Sequence, residues 1–149
     1  MKTGPTAAPF DLLKAEAYIR GESTLAVVCD ASFDDVAARL EGSIAANDLV
    51  IVHVHDMGTL LHAKGIEPGL RCRIYEVFNA HLTAQLLQLD AGLAHVLPCR
   101  ISMHDQCGVT TVTTPMPSAL MTEFSHSADV ARLARTFEAG LQRVLRGLR

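Results

Sequence analysis

Tryptophan is absent from this 149-residue chain, and aromatic residues make up only 5% of it. A core must therefore be built mainly from Leu, Val, Ile and Ala, and a hydrophobic content of 49% is enough for one such core. Charged residues reach only 19%, which is too few for a disordered chain. We expect residues 21–149 to form a single domain, preceded by a tail, residues 1–20, that contains a possible short helix.

Basic residues are also scarce, and the net charge of −3 excludes the broad positive surface that is typical of nucleic-acid binding. No apolar run approaches the roughly 18 residues of a membrane span, and no secretion signal follows Lys2. The four cysteines form no Cys-x-x-Cys pair, so we interpret them as reduced thiols. These absences predict a cytoplasmic protein without nucleic-acid or membrane partners.

Apolar periodicity along the chain alternates between that of strands and that of helices. Runs such as "TLAVVCD" and "DLVIVHVH" are typical of strands, and the segments after them carry apolar residues at helical spacing. Two short runs that flank "DQCG" predict a β-hairpin, and a continuous apolar stripe from about Ser127 predicts a long last helix. This order predicts a two-layer α+β domain, with helices packed on one face of a mixed sheet of about five strands.

Period-two alternation assigns the side chains of each strand to one of the two faces of the predicted sheet. In the second strand it places His53 and His55 on the uncovered face and the three valines of "VIVHV" in the helix-covered core. The same logic adds three arginines, a tyrosine and another histidine to the uncovered face. The candidate ligand-binding residues on that face are His53, His55, Arg71, Arg73, Tyr75, Arg100 and His104.

Several kinds of site fit this inventory of residues. Two histidines at i and i+2 of a strand point the same way and can share a metal ion, with His62 on the following helix, or His104 if its strand is adjacent, as a third ligand. A single axial histidine, His53 or His55, with arginines for the propionates suits haem. A small organic ligand, a dimer interface and a solvated outer face are further interpretations, and the scarcity of Lys and Glu argues against the last.

Three short motifs between about Thr24 and Met116 resemble the family called domain of unknown function 302. They are "HDMGTLLHAKGI" after a strand, "VFNA" where the family has Cys-Asn-Pro or Gly-Asn-Pro, and "VLPCRISMH", which is similar to its Leu-Pro-Cys strand. Phe78 and Ala80 depart from the family's pattern, so a thiol function at that position is missing here. The resemblance implies an α+β domain that tends to dimerise, with no established reaction. Its matched positions are His55, Gly65, Asn79, Leu97, Pro98 and Cys99.

Signals for catalysis are weak in this sequence. Asp56 follows His55, but adjacent strand residues point to opposite faces, and a helix cap explains Asp56. Cys99 falls on the core side of its strand, and the sequence contains no nucleophile elbow or phosphate loop. We therefore favour a homodimeric binding domain over an enzyme, with its small ligand nearest His53 and His55. A haem or metal sensor and a ligand-free interaction module are the alternatives.

Overall fold

The computed structural model of the chain describes residues 18–20 and 23–149. Over these ranges it contains six strands, five α-helices and one 3-10 helix. The strands are β1 (Tyr18–Arg20), β2 (Thr24–Cys29), β3 (Val50–Asp56), β4 (Cys72–Phe78), β5 (Cys99–Gln106) and β6 (Val109–Pro115). The helices are α1 (Phe33–Ala46), α2 (Met57–His62), α3 (Ala80–Leu89), the 3-10 helix (Ala91–Val96), α4 (Pro117–Thr122) and α5 (Ala128–Arg146).

The six strands form one sheet in the order β1-β2-β6-β5-β4-β3. The predicted α+β class and the approximate number of strands are confirmed. The prediction of a mixed sheet is wrong, because every neighbouring pair of the described strands is antiparallel. The long helix α1 joins β2 to β3, and three strands lie between these two in the sheet, so this crossover creates no adjacent parallel pair.

β5 and β6 form the predicted hairpin, with a tighter turn than the four residues "DQCG" indicate. The strands extend to Gln106 and Val109, which leaves only Cys107 and Gly108 in the turn. Both turn residues have positive φ angles, 53° and 78°. Such angles characterise the two-residue turns whose twist matches that of a hairpin.

The apolar stripe of α5 packs against the sheet and against the other helices. Beside it lies α1, which buries Leu40 and Ile44, and both helices contact inward-facing strand residues such as Val27 and Ile101. A second cluster joins α5 to α3, the 3-10 helix and α4. The predicted stripe of α5 is thus confirmed, and its buried hydrophobic members are Val130, Leu133, Ala134, Phe137, Leu141, Val144 and Leu145.

Helix starts lie where the capping residues of the sequence place them. The side chains of Ser32, Asp56 and Asn79 each accept a hydrogen bond from the backbone N–H three residues later, and Ser127 does the same for α5. These bonds satisfy amide groups that have no partner within the helix. The matched family position Asn79 therefore has a structural role as the cap of α3.

The end of α2 explains a second matched position, Gly65. Its φ angle is 77°, a left-handed conformation that glycine adopts without strain. The amides of Gly65 and Ile66 donate to the carbonyls of His62 and Leu61, which is the Schellman closure of a helix. The "GI" of the sequence motif thus turns the chain away from α2 and toward β4.

Short elements were the least predictable from the sequence. The possible helix over residues 10–20 is not formed at Tyr18–Arg20, which pair with β2 as an edge strand, and residues 1–17 lie outside the described residues. The 3-10 helix and α4 have six residues each, which is too short for a helical period to be visible. In the ranges that the structure describes, no helix is both long and apolar enough to cross a bilayer.

The packing of α5 generates a stability prediction. Leu141→Ala should lower the free energy of unfolding by about 2–5 kcal/mol, because Leu141 is fully buried between α5 and the sheet and its truncation leaves a cavity. Leu89→Ala is the matched control: its side chain is 47% exposed, so the expected change is within about 0.5 kcal/mol. Urea denaturation measures both, and equal effects would contradict the described core.

Candidate functional site

The edge strand β3 contains a bulge that decides which of its side chains face the helices. Ile51 lies opposite a core residue of β4, but two positions later His53 lies opposite Glu76, so Val52 is an extra residue in the register. One extra residue exchanges the two faces of the strand beyond it. His53 and His55 consequently lie on the face away from the helices, as predicted, although strict alternation was the wrong reason.

The valines of β3 are not core residues, and the prediction that they pack under the helices is wrong. Val50 and Val52 are each about half exposed, and Val54 is 37% exposed. The bulge breaks the alternation on which that prediction depended. In addition, β3 is the last strand of the sheet, so it has a neighbouring strand on one side only within the described part of the chain.

Cross-strand register assembles one surface, which we call the open face. Besides the two histidines of β3, this surface contains every second residue of β4 and the residues of β5 that lie opposite them. The opposed pairs are Glu76 with Arg100, Ile74 with Ser102 and Cys72 with His104. These side chains are partly or fully exposed in the single chain, unlike the buried ones on the other face. The open face consists of His53, His55, Cys72, Ile74, Glu76, Arg100, Ser102 and His104.

His55 is held in place by two neighbours on the open face. Its Nε2 lies 3.0 Å from Oε1 of Glu76, and its ring meets that of His53 edge-on, with the ring centroids 4.5 Å apart. A carboxylate that binds one ring nitrogen orients the imidazole and leaves the other nitrogen, Nδ1, for a further partner. His55 is therefore positioned to contact a molecule that lies on the sheet.

Tyr75 does not belong to the open face, contrary to the prediction. Its side chain lies fully buried under the helices, and its hydroxyl donates to Oε1 of Glu41 on α1 at 3.2 Å. Burial is the main cause that raises the pKa of Tyr75 above its ordinary value. Tyr75 is a core residue with one satisfied polar group rather than a ligand contact.

Arg71 and Arg73 are also absent from the open face, and here too the prediction is wrong. The guanidinium of Arg71 lies 4.2 Å from the centre of the Phe33 ring and 3.0 Å from Asp34, and this hydrogen bond lowers the pKa of Asp34. Arg73 lies 5.5 Å from the centre of the same ring and 3.6 Å from Asp56. Both arginines therefore hold the start of α1 near β4.

The residues of this surface that sequence reasoning missed are Cys72, Ile74 and Glu76 of β4, of which Glu76 carries charge. Strand β4 carries polar side chains on both of its faces. Assuming that its arginines lie on the open face assigns every side chain of the strand to the wrong face of the sheet. The informative signal is the pair Tyr75 and Val77, which share one face and are both fully buried. Large and apolar side chains at alternate positions favour the core, and this places Glu76 on the opposite face.

The predicted metal site of His53, His55 and His62 is not assembled in the single chain. On α2, His62 forms a hydrogen bond with Glu67, and its side chain is 76% exposed. Among the residues that the structure describes, no three His, Cys, Asp or Glu side chains come together as a group that could hold a metal ion. Of the three predicted ligands, only His53 and His55 are neighbours.

Cys99, the thiol of the "LPC" motif, lies on the core face, as the alternation predicts. It is 3% exposed and lies opposite Val77 of β4. Burial raises its pKa to about 12. Since the thiolate is the reactive form of cysteine, Cys99 is not a nucleophile in this fold.

This burial predicts a difference in reactivity between two thiols. Iodoacetamide at about pH 8 should alkylate the exposed Cys107 of the hairpin turn and leave Cys99 unmodified, because only an accessible thiolate reacts. Peptide mass spectrometry measures the modification of each residue, and the urea-unfolded chain, in which both should react, is the control. Modification of Cys99 at the rate of Cys107 in the folded chain would contradict its placement.

Comparison with known proteins agrees with this fold. A solved structure described as "uncharacterized conserved protein DUF302 from Bacillus stearothermophilus" is similar to this chain with a TM-score of 0.81 and 21% sequence identity. The match covers 87% of this chain and 100% of that chain. No curated protein matches the sequence. The family model of the domain of unknown function DUF302 matches residues 25–148, and the chain therefore belongs to the DUF302 family.

Proposed function

We propose that this chain is a homodimeric domain of the cytoplasm that binds a small polar ligand on the open face, close to the dimer interface. The observation that carries the proposal is the bulge of β3, which brings His53 and His55 to the same surface as Glu76 and Arg100. Cys72, Cys99 and Cys107 carry free thiols, which supports a reducing compartment.

The chemistry of the open face supports a ligand rather than a solvated surface. Three histidines and Arg100 can donate hydrogen bonds or carry positive charge, and Glu76 is the single carboxylate among them. That carboxylate is engaged by His55, so it does not neutralise the rest of the surface. A few polar groups that converge on one partly apolar surface are typical of a binding site.

The exposed edge of the sheet supports the dimer. In the described part of the chain, β3 has no strand on its outer side. Val50 and Val52 are each about half exposed there, and Leu60 and Ile66 on the adjoining α2 segment are equally exposed. An apolar edge without Lys or Pro is typical of a strand that pairs with another strand. A twofold pairing of β3 with β3 would bring the histidines of both copies to the interface.

The proposed interface predicts a change of oligomeric state. The wild-type chain should sediment as a dimer, at twice the 16.1 kDa chain mass, and Val52→Lys should sediment as a monomer because a charged side chain on an edge strand opposes pairing. Leu89→Lys, on the exposed side of α3, is the matched control and should stay dimeric. A monomeric wild type, or a dimeric Val52→Lys variant, would contradict the interface.

A haem- or metal-binding sensor or carrier is the second candidate function. It is favoured by the contact between the His53 and His55 rings and by Glu76, since many metal-binding histidines are oriented by a carboxylate on their second ring nitrogen. A dimer would double the number of histidines available as ligands. Of the three arginines predicted to hold haem propionates, Arg100 is the one that lies on the open face.

The open face predicts a selective effect of His55→Ala on ligand occupancy. In native mass spectrometry, the purified wild-type chain should carry additional mass, and His55→Ala should lose most of it because the orienting pair with Glu76 is gone. The free energy of unfolding should change by less than about 1 kcal/mol, the size of one cross-strand pair. His62→Ala is the control and should keep the additional mass, because His62 lies apart from the open face.

The nature of the retained mass separates the candidate functions. A Soret band after growth with a haem precursor supports haem, and a stoichiometric transition metal in elemental analysis supports the histidine pair. An organic mass without either supports the leading proposal. A dimer that carries nothing, or an unfolded His55→Ala variant, would contradict the binding function and favour a ligand-free interaction module.

A further inference from the structure

A cleft of about 310 Å³ lies at one corner of the fold, outside the His53 and His55 pair. It is formed where the 3-10 helix, the start of β5, the end of β6 and α4 meet. Its volume is at the lower end of the range found for small-molecule sites. Arg100 extends into its lining from the open face, about two interstrand spacings, or roughly 10 Å, from His53 along the sheet.

The lining of the cleft combines positive charge with apolar walls. Among the residues that the structure describes, Arg100 and His95 are the basic residues of the lining, the others include Pro98, Pro115 and Leu120, and none carries a carboxylate. Among the described residues, no carboxylate lies within 4.0 Å of the Arg100 guanidinium. Its cross-strand neighbour Glu76 is bound to His55 instead. The arginine is thus available to an anion from solution.

His95, which lines the same cleft, is held in a fixed orientation. Its Nδ1 donates to the carbonyl of Gly92, and its ring contacts Phe124 edge-on, with the centroids 4.3 Å apart and the planes at 86°. An exposed histidine with two such contacts has lost most of its rotational freedom before a ligand arrives. The remaining ring nitrogen, Nε2, donates a hydrogen bond when the imidazole is protonated.

We propose that this cleft binds a small carboxylate with an apolar body. Arg100 and His95 hold the carboxylate, since a guanidinium pairs with both oxygens of a carboxylate in a fixed geometry. The apolar body lies against Pro98, Pro115 and Leu120. The site shares Arg100 with the open face but lies away from His53 and His55, and it does not rest on the function proposed for that pair.

Titration of the full-length chain with octanoate, followed by amide chemical shifts in two-dimensional NMR, tests the proposal. Octanoate should shift the amide signals of residues 95–97, 99, 100 and 120 to saturation, and the neutral analogue octanamide should bind at least tenfold more weakly. Arg100→Gln should weaken octanoate binding at least tenfold, which corresponds to about 1.4 kcal/mol. His95→Gln should weaken it about threefold, or roughly 0.6 kcal/mol.

His62→Gln is the matched control, because His62 lies on α2, outside both the cleft and the open face, and this variant should leave octanoate affinity within twofold of the wild type. The proposal is overturned by the absence of saturable shifts at about 10 mM octanoate, by shifts that lie elsewhere on the chain, or by equal affinities for octanoate and octanamide. That last comparison uses the unmodified protein, so it decides the question even if Arg100→Gln fails to fold. Loss of octanoate binding in His62→Gln would also overturn the proposal.

Discussion

Burial of the α5 stripe against one face of the antiparallel sheet is the interaction on which the rest of the structure depends. Phe137, Leu141 and Leu145 fill the space between α5, α1 and the inner strands, and a smaller cluster joins α5 to the shorter helices. Because these helices gather on one side, the side chains of β3, β4 and β5 on the other side stay partly exposed. Covering one face thus creates the surface on which function is proposed.

The bulge at Val52 determines which side chains of β3 lie on the open face. An unbroken β3 would place residues 51, 53 and 55 on the same face, and Ile51 packs against the core. The extra residue lets Ile51 stay with the core while His53 and His55 lie next to Glu76. Bulges are frequent at sheet edges and beside functional sites because they re-aim side chains in this way.

Charge is divided between the two faces according to local partners. Arg71 and Arg73 contact the ring of Phe33 and lie within ion-pair distance of Asp34 and Asp56, respectively. Their positive charges therefore interact with groups where α1 meets the sheet and at the start of α2. Such exposed pairs contribute little stability individually, but together they position the start of α1. Arg100 has no comparable partner among the described residues. It is therefore the arginine best placed to meet a ligand.

The sequence by itself determined the α+β class, the starts of α1, α2, α3 and α5, and the long apolar stripe of α5. Caps such as Ser32 and Asn79 and a stripe of periodic apolar residues act within a few turns of chain, so they can be read without a partner element. Only the tertiary structure decided the strand order, the antiparallel sheet and the face of each β4 side chain. Strand order and orientation follow from pairing between segments that are distant in sequence, and the face of each side chain follows from register and from which side the helices cover. A single extra residue such as Val52 exchanges the two faces of β3 without changing the local sequence pattern.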